Sequence, residues 1–372
     1  MSRRKNRKRD RDMQESKDRT DPAIEGAQTE VSVDIQTDIK ADPALDVSTE
    51  SPEGTPSSAT AGEDAAATAT ETSAVTQGTD GSKAPRKDRK MPRWVRNTLR
   101  VIVAVFLCLA VFLCVSAAFS RHYQITFYQD VCRFLTGNVR IIFISDLHSR
   151  QYGEGNAELL ADISSLSPDI IVLGGDMINW NDTDYEPMLD TCRKLAELAP
   201  VYAVLGNHEC ERVYNNGDQA LVGRFEDAGV HMLRNESKIV KIGDNSIQLV
   251  GIEGTEAGFD KYGGKECMDQ LDTRRNMYRV VLTHAPVLFR EKLVPYSYDL
   301  GLAGHVHGGV VQIPRVGGLY SAEEGLLPEF SRGKYELSNG ARLIIGAGLG
   351  DTGWFPRVNN RPELLVIDVN WC

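Results

Sequence analysis

The 372-residue chain has seven histidines, at 122, 148, 208, 231, 284, 305 and 307, and five of them follow the end of a short apolar run. Val139–Ser145 leads into Asp146-Leu147-His148, Ile170–Leu173 into Gly174-Gly175-Asp176, and Val201–Leu205 into Gly206-Asn207-His208-Glu209. Arg279–Thr283 leads into His284, and Leu300–Ala303 into Gly304-His305-Val306-His307-Gly308-Gly309. A single histidine in such a place is ordinarily a structural or surface residue. Five of them, with two Asp and one Asn, supply enough ligands for two cations sharing a bridge. Oxygen and imidazole donors without a thiolate suit Mn, Fe, Zn, Co or Ni. No Cys-x-x-Cys pair occurs, which argues against a cysteine zinc cage. Asp-x-His and His-x-His on extended backbone would place both side chains on one face, because side chains alternate along a strand.

Such a site suits hydrolysis of a phosphate ester. The ester is anionic and repels hydroxide. Two cations about 3.5–4 Å apart neutralise it and lower the pKa of a bridging water, whose hydroxide attacks phosphorus in line. A protonated histidine near the leaving group adds a general-acid factor of about 10²–10⁴.

The elements that must position these residues are visible as apolar runs. Those at Val139–Ser145, Ile170–Gly174, Val201–Gly206, Ser246–Gly251, Arg279–Thr283, Asp299–Ala303, Arg342–Gly346 and Leu364–Val369 are rich in Val, Ile and Leu. Most lack strict alternation, as expected of strands covered on both faces. Helical patterns at Asn156–Leu166, Pro187–Leu198 and Asp218–Ala228 lie between them. That succession predicts an α/β or α+β layered domain, and in open α/β sheets the C-terminal strand ends form the ligand crevice.

Asp146-Leu147-His148, Gly175-Asp176, Gly206-Asn207-His208-Glu209, His284 and Gly304-His305-Val306-His307 resemble, in order, the five blocks of calcineurin-like metallophosphoesterases. The resemblance covers roughly residues 139–369. Within the family it is nearest to the membrane-anchored bacterial phosphoesterases, through Gly308-Gly309 and the Gly-rich stretch Gly346–Gly353 before a final strand. It implies an α/β fold, a four-layer α/β/β/α sandwich, with two divalent metal ions at the strand ends. Asp146, His148 and His307 would hold the first metal and Asn207, His284 and His305 the second, with Asp176 bridging. His208 would assist the leaving group while a metal-bridging hydroxide attacks a phosphodiester or phosphomonoester. The competing reading is a catalytically weak metal-binding envelope protein acting through interactions.

Two departures from the family pattern stand out. Its second block often reads Gly-Asp-x-x-Asp, with the second Asp orienting the catalytic histidine. Here the block ends in Asn179, which leaves His208 without that carboxylate unless Asp182 or Asp184 supplies the charge. Val306 and Val310 stand where the subgroup commonly has Thr and Gln, which bears on substrate contacts and not on metal binding. Arg357 and Arg361 are weaker candidates, as a phosphate clamp or as loop residues. Trp354 and Phe355 could hold an apolar or sugar group or close a core. Glu209 reads as structural, and His122 and His231 as uninvolved.

The first quarter of the chain is of another kind. No aromatic residue precedes Trp94, so it lacks the apolar bulk to offset chain entropy. Residues 1–20 carry nine Lys/Arg against four acids, residues 21–82 thirteen acids against one Lys, and residues 83–100 eight Lys/Arg against one acid. These blocks cancel, so the net charge of −10 belongs to residues 101–372. An acidic domain without a basic stripe argues against nucleic-acid binding. Residues 101–119 are uncharged and apolar and would span roughly 28 Å as a helix, close to the thickness of a bilayer core. Arg93, Arg96 and Arg100 precede them, so the N-terminus is expected in the cytoplasm, with the domain outside. A signal peptide starting at Met91 and ending near Val115-Ser116-Ala117 is the alternative.

The expected organisation is a disordered charged tail (1–92), a basic flank and transmembrane helix (93–120), a linker (121–138) and the metallophosphoesterase domain (139–372). The expected partners are a phosphoester substrate, lipid-linked or from the cell envelope, and the membrane through residues 101–119. Cys132, Cys192, Cys210, Cys267 and Cys372 are an odd number outside the apolar segment, so at least one thiol is free or pairs between chains.

Overall fold

The computed structural model describes residues 91–253, 256–271, 277–350 and 355–372. All but the last two residues of the expected tail lie outside these. The chain enters through helix α1 (Arg93–Phe119), which has no internal proline and only Ser116 buried. Its apolar side chains are exposed, Phe106 by 67% and Val111 by 62%. Among the described residues it is the one helix long and apolar enough to cross a membrane.

Strand β1 (Gln124–Cys132) comes next. It corrects the expected linker at 121–138: all nine of its residues pair in parallel with the final strand. Its burial is mostly partial, so its sequence lacks the run of Val, Ile and Leu that marks a doubly covered strand. The order continues β2 (Val139–Ile144), α2 (Ala157–Leu166), β3 (Ile170–Leu173), α3 (Glu186–Leu198), β4 (Val201–Ala203), α4 (Asn207–Cys210), α5 (Ala220–Asp227), β5 (Val230–Met232), β6 (Glu236–Ile242) and β7 (Asn245–Ile252). Then follow α6 (Glu256–Lys261), α7 (Gly264–Asp269), β8 (Tyr278–Thr283), α8 (Val287–Glu291) and β9 (Leu300–Ala303). Four two-residue strands, β10 (Gln312–Ile313), β11 (Gly317–Gly318), β12 (Tyr320–Ser321) and β13 (Gly325–Leu326), precede β14 (Gly333–Glu336), β15 (Arg342–Ile345) and β16 (Glu363–Trp371).

Two six-stranded sheets result, ordered β1-β16-β2-β3-β4-β5 and β14-β15-β9-β8-β7-β6. Strands β2 to β5 run parallel, as do β7, β8, β9 and β15. Alternate residues of β2 show why its sequence is apolar throughout. Ile141 and Phe143 pack with Leu249, Val280, Leu302 and Ile344 of the other sheet. Ile142 and Ile144 pack outward with Leu159, Ile163, Leu189 and Leu195 of α2 and α3. The second sheet buries its own outer face against Met268, Leu288 and Phe289. The layers are helix, sheet, sheet, helix. Each fully buried Leu or Ile in them stabilises the fold by about 1.5–3 kcal/mol relative to an exposed one.

Candidate metal centre

Every expected ligand lies just past the C-terminal end of a parallel strand. Asp146 and His148 follow β2, Asp176 follows β3, Asn207 opens α4 after β4, His284 follows β8, and His305 and His307 follow β9. The loops are tied to one another through backbone: Asp146 N–H donates to Gly175 O (2.9 Å), His148 N–H to Asp176 O (3.0 Å), and Gly304 N–H to His284 O (3.1 Å). Gly304 is required by crowding, because a Cβ there would run into the Asp146 carboxylate.

One expectation about local geometry fails. Asp146, His148, Asp176, His305 and His307 all have left-handed φ, between 47° and 72°. Asp-x-His and His-x-His therefore lie in turns, not on extended backbone, and reversal of the chain aims both side chains at one point. A non-glycine residue held there costs about 1–3 kcal/mol. Five such residues in one cluster mark a site whose surroundings enforce it.

The side chains converge as two groups. Asp146, His148 and His307 form one and Asp176, His284 and His305 the other, with the atoms of each within 4.8 Å of one another. His148 Nε2 lies 3.1 Å from His307 Nε2, and His305 Nδ1 lies 3.1 Å from His284 Nε2. Asn207 Oδ1 joins the second group, 2.8 Å from His305 Nδ1 and 3.1 Å from His284 Nε2. Asp176 Oδ2 stands between the groups, 3.2 Å from His284 Nε2 and 3.8 Å from His148 Nε2. His284 donates Nδ1–H to Gly174 O (2.8 Å), which turns Nε2 toward the cluster. Asp146 Oδ2 is buried without a hydrogen-bond partner among the described residues. An orphaned carboxylate oxygen beside clustered imidazole nitrogens fits a divalent cation, which satisfies lone pairs that no proton donor reaches.

The protonation balance reflects this crowding. Burial pushes His284 down, but the Asp176 and Asp146 carboxylates outweigh it and lift the group to about 10. Burial, then the neighbouring His284, presses His305 down to about 4. Burial opposes the Asp176 charge, yet His284, His148 and His208 hold that carboxyl well below its usual range. A cation binding there would compete with a proton on His284.

His208 lies 3.9 Å from Asp176 Oδ2 through Nε2, and these two with His148 form a third cluster. The Trp180 backbone N–H donates to His208 Nδ1 (3.1 Å). In the neutral ring the proton is then on Nε2, which has no lone pair to offer a metal and points a donor into the cleft. The Asn179 side chain makes no hydrogen bond to His208 among the described residues. It donates to His148 O (2.9 Å), and Asp182 accepts from Asn179 N–H (2.8 Å) and from the Ser149 hydroxyl. Asp184 accepts from Glu186 N–H. Neither acid supplies the charge considered for His208; a backbone donor orients the ring instead. The cleft is open on this side: His208 is 21% exposed and His305 and His307 16% each, while Asp146 and His284 are fully buried.

Glu209, buried, accepts from the backbone N–H groups of Asp176, Met177, Ile178 and Gly206 at 2.8–3.1 Å, stapling two ligand loops together. Arg357 is buried and donates to Gly350 O (2.8 Å) and to His307 Nδ1 (3.2 Å), so its guanidinium braces the centre from behind. Arg361 lies away from the cluster, donating to Tyr123 O (3.1 Å). Phe355 is 72% exposed, and Trp354 lies outside the described residues. The sequence reading missed Glu323, whose carboxylate sits 3.4 Å from His305 Nε2, the nitrogen facing away from Asn207. Nothing in its loop, Ser321-Ala322-Glu323-Glu324-Gly325, carries a metal-site spacing.

The chain is similar to known phosphoesterases. The profile of the calcineurin-like phosphoesterase family matches residues 139–309. The phosphodiesterase YaeI of Escherichia coli K12 is 27% identical over 241 residues, 62% of this chain and 82% of that protein. A metallophosphoesterase of Aquifex aeolicus is 30% identical over 240 residues, 62% of this chain and 85% of that protein. The metallophosphoesterase YkoQ of Bacillus subtilis 168 is 28% identical over 229 residues, 61% and 82% of the two chains.

Proposed function

Because this chain belongs to the calcineurin-like metallophosphoesterase family, a hydrolase family acting on phosphoric esters, we propose that its centre works with two divalent cations. In this reading Asp146, His148 and His307 hold one, Asn207, His284 and His305 the other, and Asp176 bridges. Bound there, the cations neutralise ester charge and lower the pKa of water. His208 donates from Nε2 to the phosphoryl or leaving-group oxygen, its ring held by Trp180 N–H. Glu209 fixes the Asp176 and Asn207 loops relative to each other, and Glu323 and Arg357 orient His305 and His307. The observation that carries the reading is Asp176 Oδ2, poised between two clusters that each draw on strand ends of both sheets. The intact ligand set disfavours a protein that only binds metal.

We further propose that α1 crosses the membrane with the N-terminus in the cytoplasm, supported by Arg93, Arg96 and Arg100 at its start and by the positive-inside rule. The domain then faces envelope phosphoesters, lipid-linked ones among them.

The test is hydrolysis of bis-p-nitrophenyl phosphate and p-nitrophenyl phosphate by the full chain, with Mn²⁺ and with chelator. Activity is expected to require metal, to vanish with Asp176→Asn or His305→Ala, and to fall about 10²–10⁴-fold with His208→Ala. Turnover insensitive to chelator would overturn the mechanism.

A further inference from the structure

Helix α1 does not leave the domain at its last turn. Ser116 and Ser120 donate from their hydroxyls to Arg357 O at 3.3 and 3.2 Å, and Asn359 N–H donates back to Ser116 Oγ (2.7 Å). Arg150 donates to Ser120 O and Arg121 O. Between the helix and the domain is a cavity of about 630 Å³, the size of a small-molecule site. Phe112, Val115 and Phe119 form its helix wall, and Ile313 and Pro314 come from the domain. Three arginines, Arg315, Arg332 and Arg361, line it, and no carboxylate does.

The charges are unevenly compensated. Arg332 pairs with Glu363 at 3.3 Å. Arg361 donates to the carbonyls of His122 and Tyr123 and has no carboxylate partner among the described residues. Arg315 is exposed and has no ion-pair partner among them.

Depth decides what can enter. Phe112 precedes Phe119 by seven residues, so it lies about 10 Å further along the axis, inside the uncharged segment that ends at Phe119. A cavity lined by both Phe112 and Arg315 therefore runs from the headgroup layer into the acyl layer. Val316, beside Arg315, is 62% exposed.

We propose that this cavity binds one phospholipid with an anionic headgroup from the leaflet on the domain's side. An acyl chain lies against Phe112, Val115 and Ile313, and the phosphate meets Arg315 and Arg361. The site rests on α1 crossing the membrane and is independent of the metal chemistry. It adjoins the metal centre through Arg357, whose carbonyl receives the helix serines and whose guanidinium reaches His307.

The test uses the full chain in nanodiscs of phosphatidylcholine doped with phosphatidylglycerol, released into mild detergent, with retained lipid counted by native mass spectrometry. Phosphatidylglycerol should be enriched at least about tenfold over phosphatidylcholine, because the two arginines favour a net negative headgroup over one whose phosphate is offset by a choline cation. Arg315→Gln should reduce that enrichment and Arg315→Gln/Arg361→Gln abolish it, while Ile313→Asp should lower retention of both lipids. Excess glycerol 3-phosphate should not displace the lipid. Arg315→Gln should leave bis-p-nitrophenyl phosphate hydrolysis unchanged, which separates this site from the metal centre. Equal retention of the two lipids, enrichment that survives the exposed single substitution, or displacement by the soluble phosphate would overturn the proposal. Release of the chain from membranes by alkaline carbonate would remove its premise.

Discussion

At the scale of single residues, the second block shows how a substitution is absorbed. Asn179 gives its amide N–H to His148 O and lies 3.4 Å from Asp182 Oδ1, so it buttresses the loop of the first cluster. An Asp at 179 would oppose a carbonyl and a carboxylate with a third acceptor. Asn179→Asp should therefore destabilise the domain by about 1–3 kcal/mol and lower turnover. Thermal melting and hydrolysis rates of the variant check this; a variant as stable as the parent and faster would show that His208 wants the acid after all. This part of the site was half legible from sequence. The order of the blocks marked all seven expected ligands, but not that Trp180 N–H holds His208 or that Glu323 backs His305. Backbone donors and residues brought in by distant loops leave no spacing to read.

At the scale of elements, the strands that sequence revealed are those buried on both faces, and the ones it hid are edges. Strand β1 is such an edge, with Tyr128 packed against the intersheet core and Phe127 and Val131 exposed. It covers β16 along its whole length. Its Thr126 hydroxyl also donates to Glu363 (2.5 Å), the carboxylate that pairs with Arg332. A chain beginning at Val139 leaves β16 as an exposed nine-residue edge, a template for aggregation. It should be insoluble, whereas a chain beginning at His122 should fold and hydrolyse ester. Equal solubility and activity of the two would show that β1 is dispensable.

At the scale of the whole molecule, the two sheets are joined by more than apolar packing. Tyr278 of β8 donates to Asp130 of β1, and Arg342 of β15 reaches the same carboxylate at 2.6 Å. Burial first, then the Asp130 charge, raises the Tyr278 phenol well above its ordinary value. The folded value exceeds the unfolded value of about 10, so this contribution is whole below about pH 10 and is lost as pH climbs toward the folded value. Tyr278→Phe should cost about 1–3 kcal/mol near neutrality and flatten the fall in stability above about pH 10. Denaturant titrations across pH measure both, and an unchanged alkaline limb would show that Tyr278 is not the titrating group. The described cysteines add no covalent link, all seven being free thiols.

The sequence alone determined the apolar runs, their mixed α/β order, the uncharged span at 101–119 and the set of residues that could bind metal, because each follows from local composition and spacing. Only the tertiary structure decided how those residues meet. Left-handed turns, not extended backbone, aim the candidate ligands, a peptide N–H holds the His208 ring, and helix α1 docks on the domain through two serines. All three depend on which strand ends lie side by side, and that is fixed by packing between residues far apart in the chain.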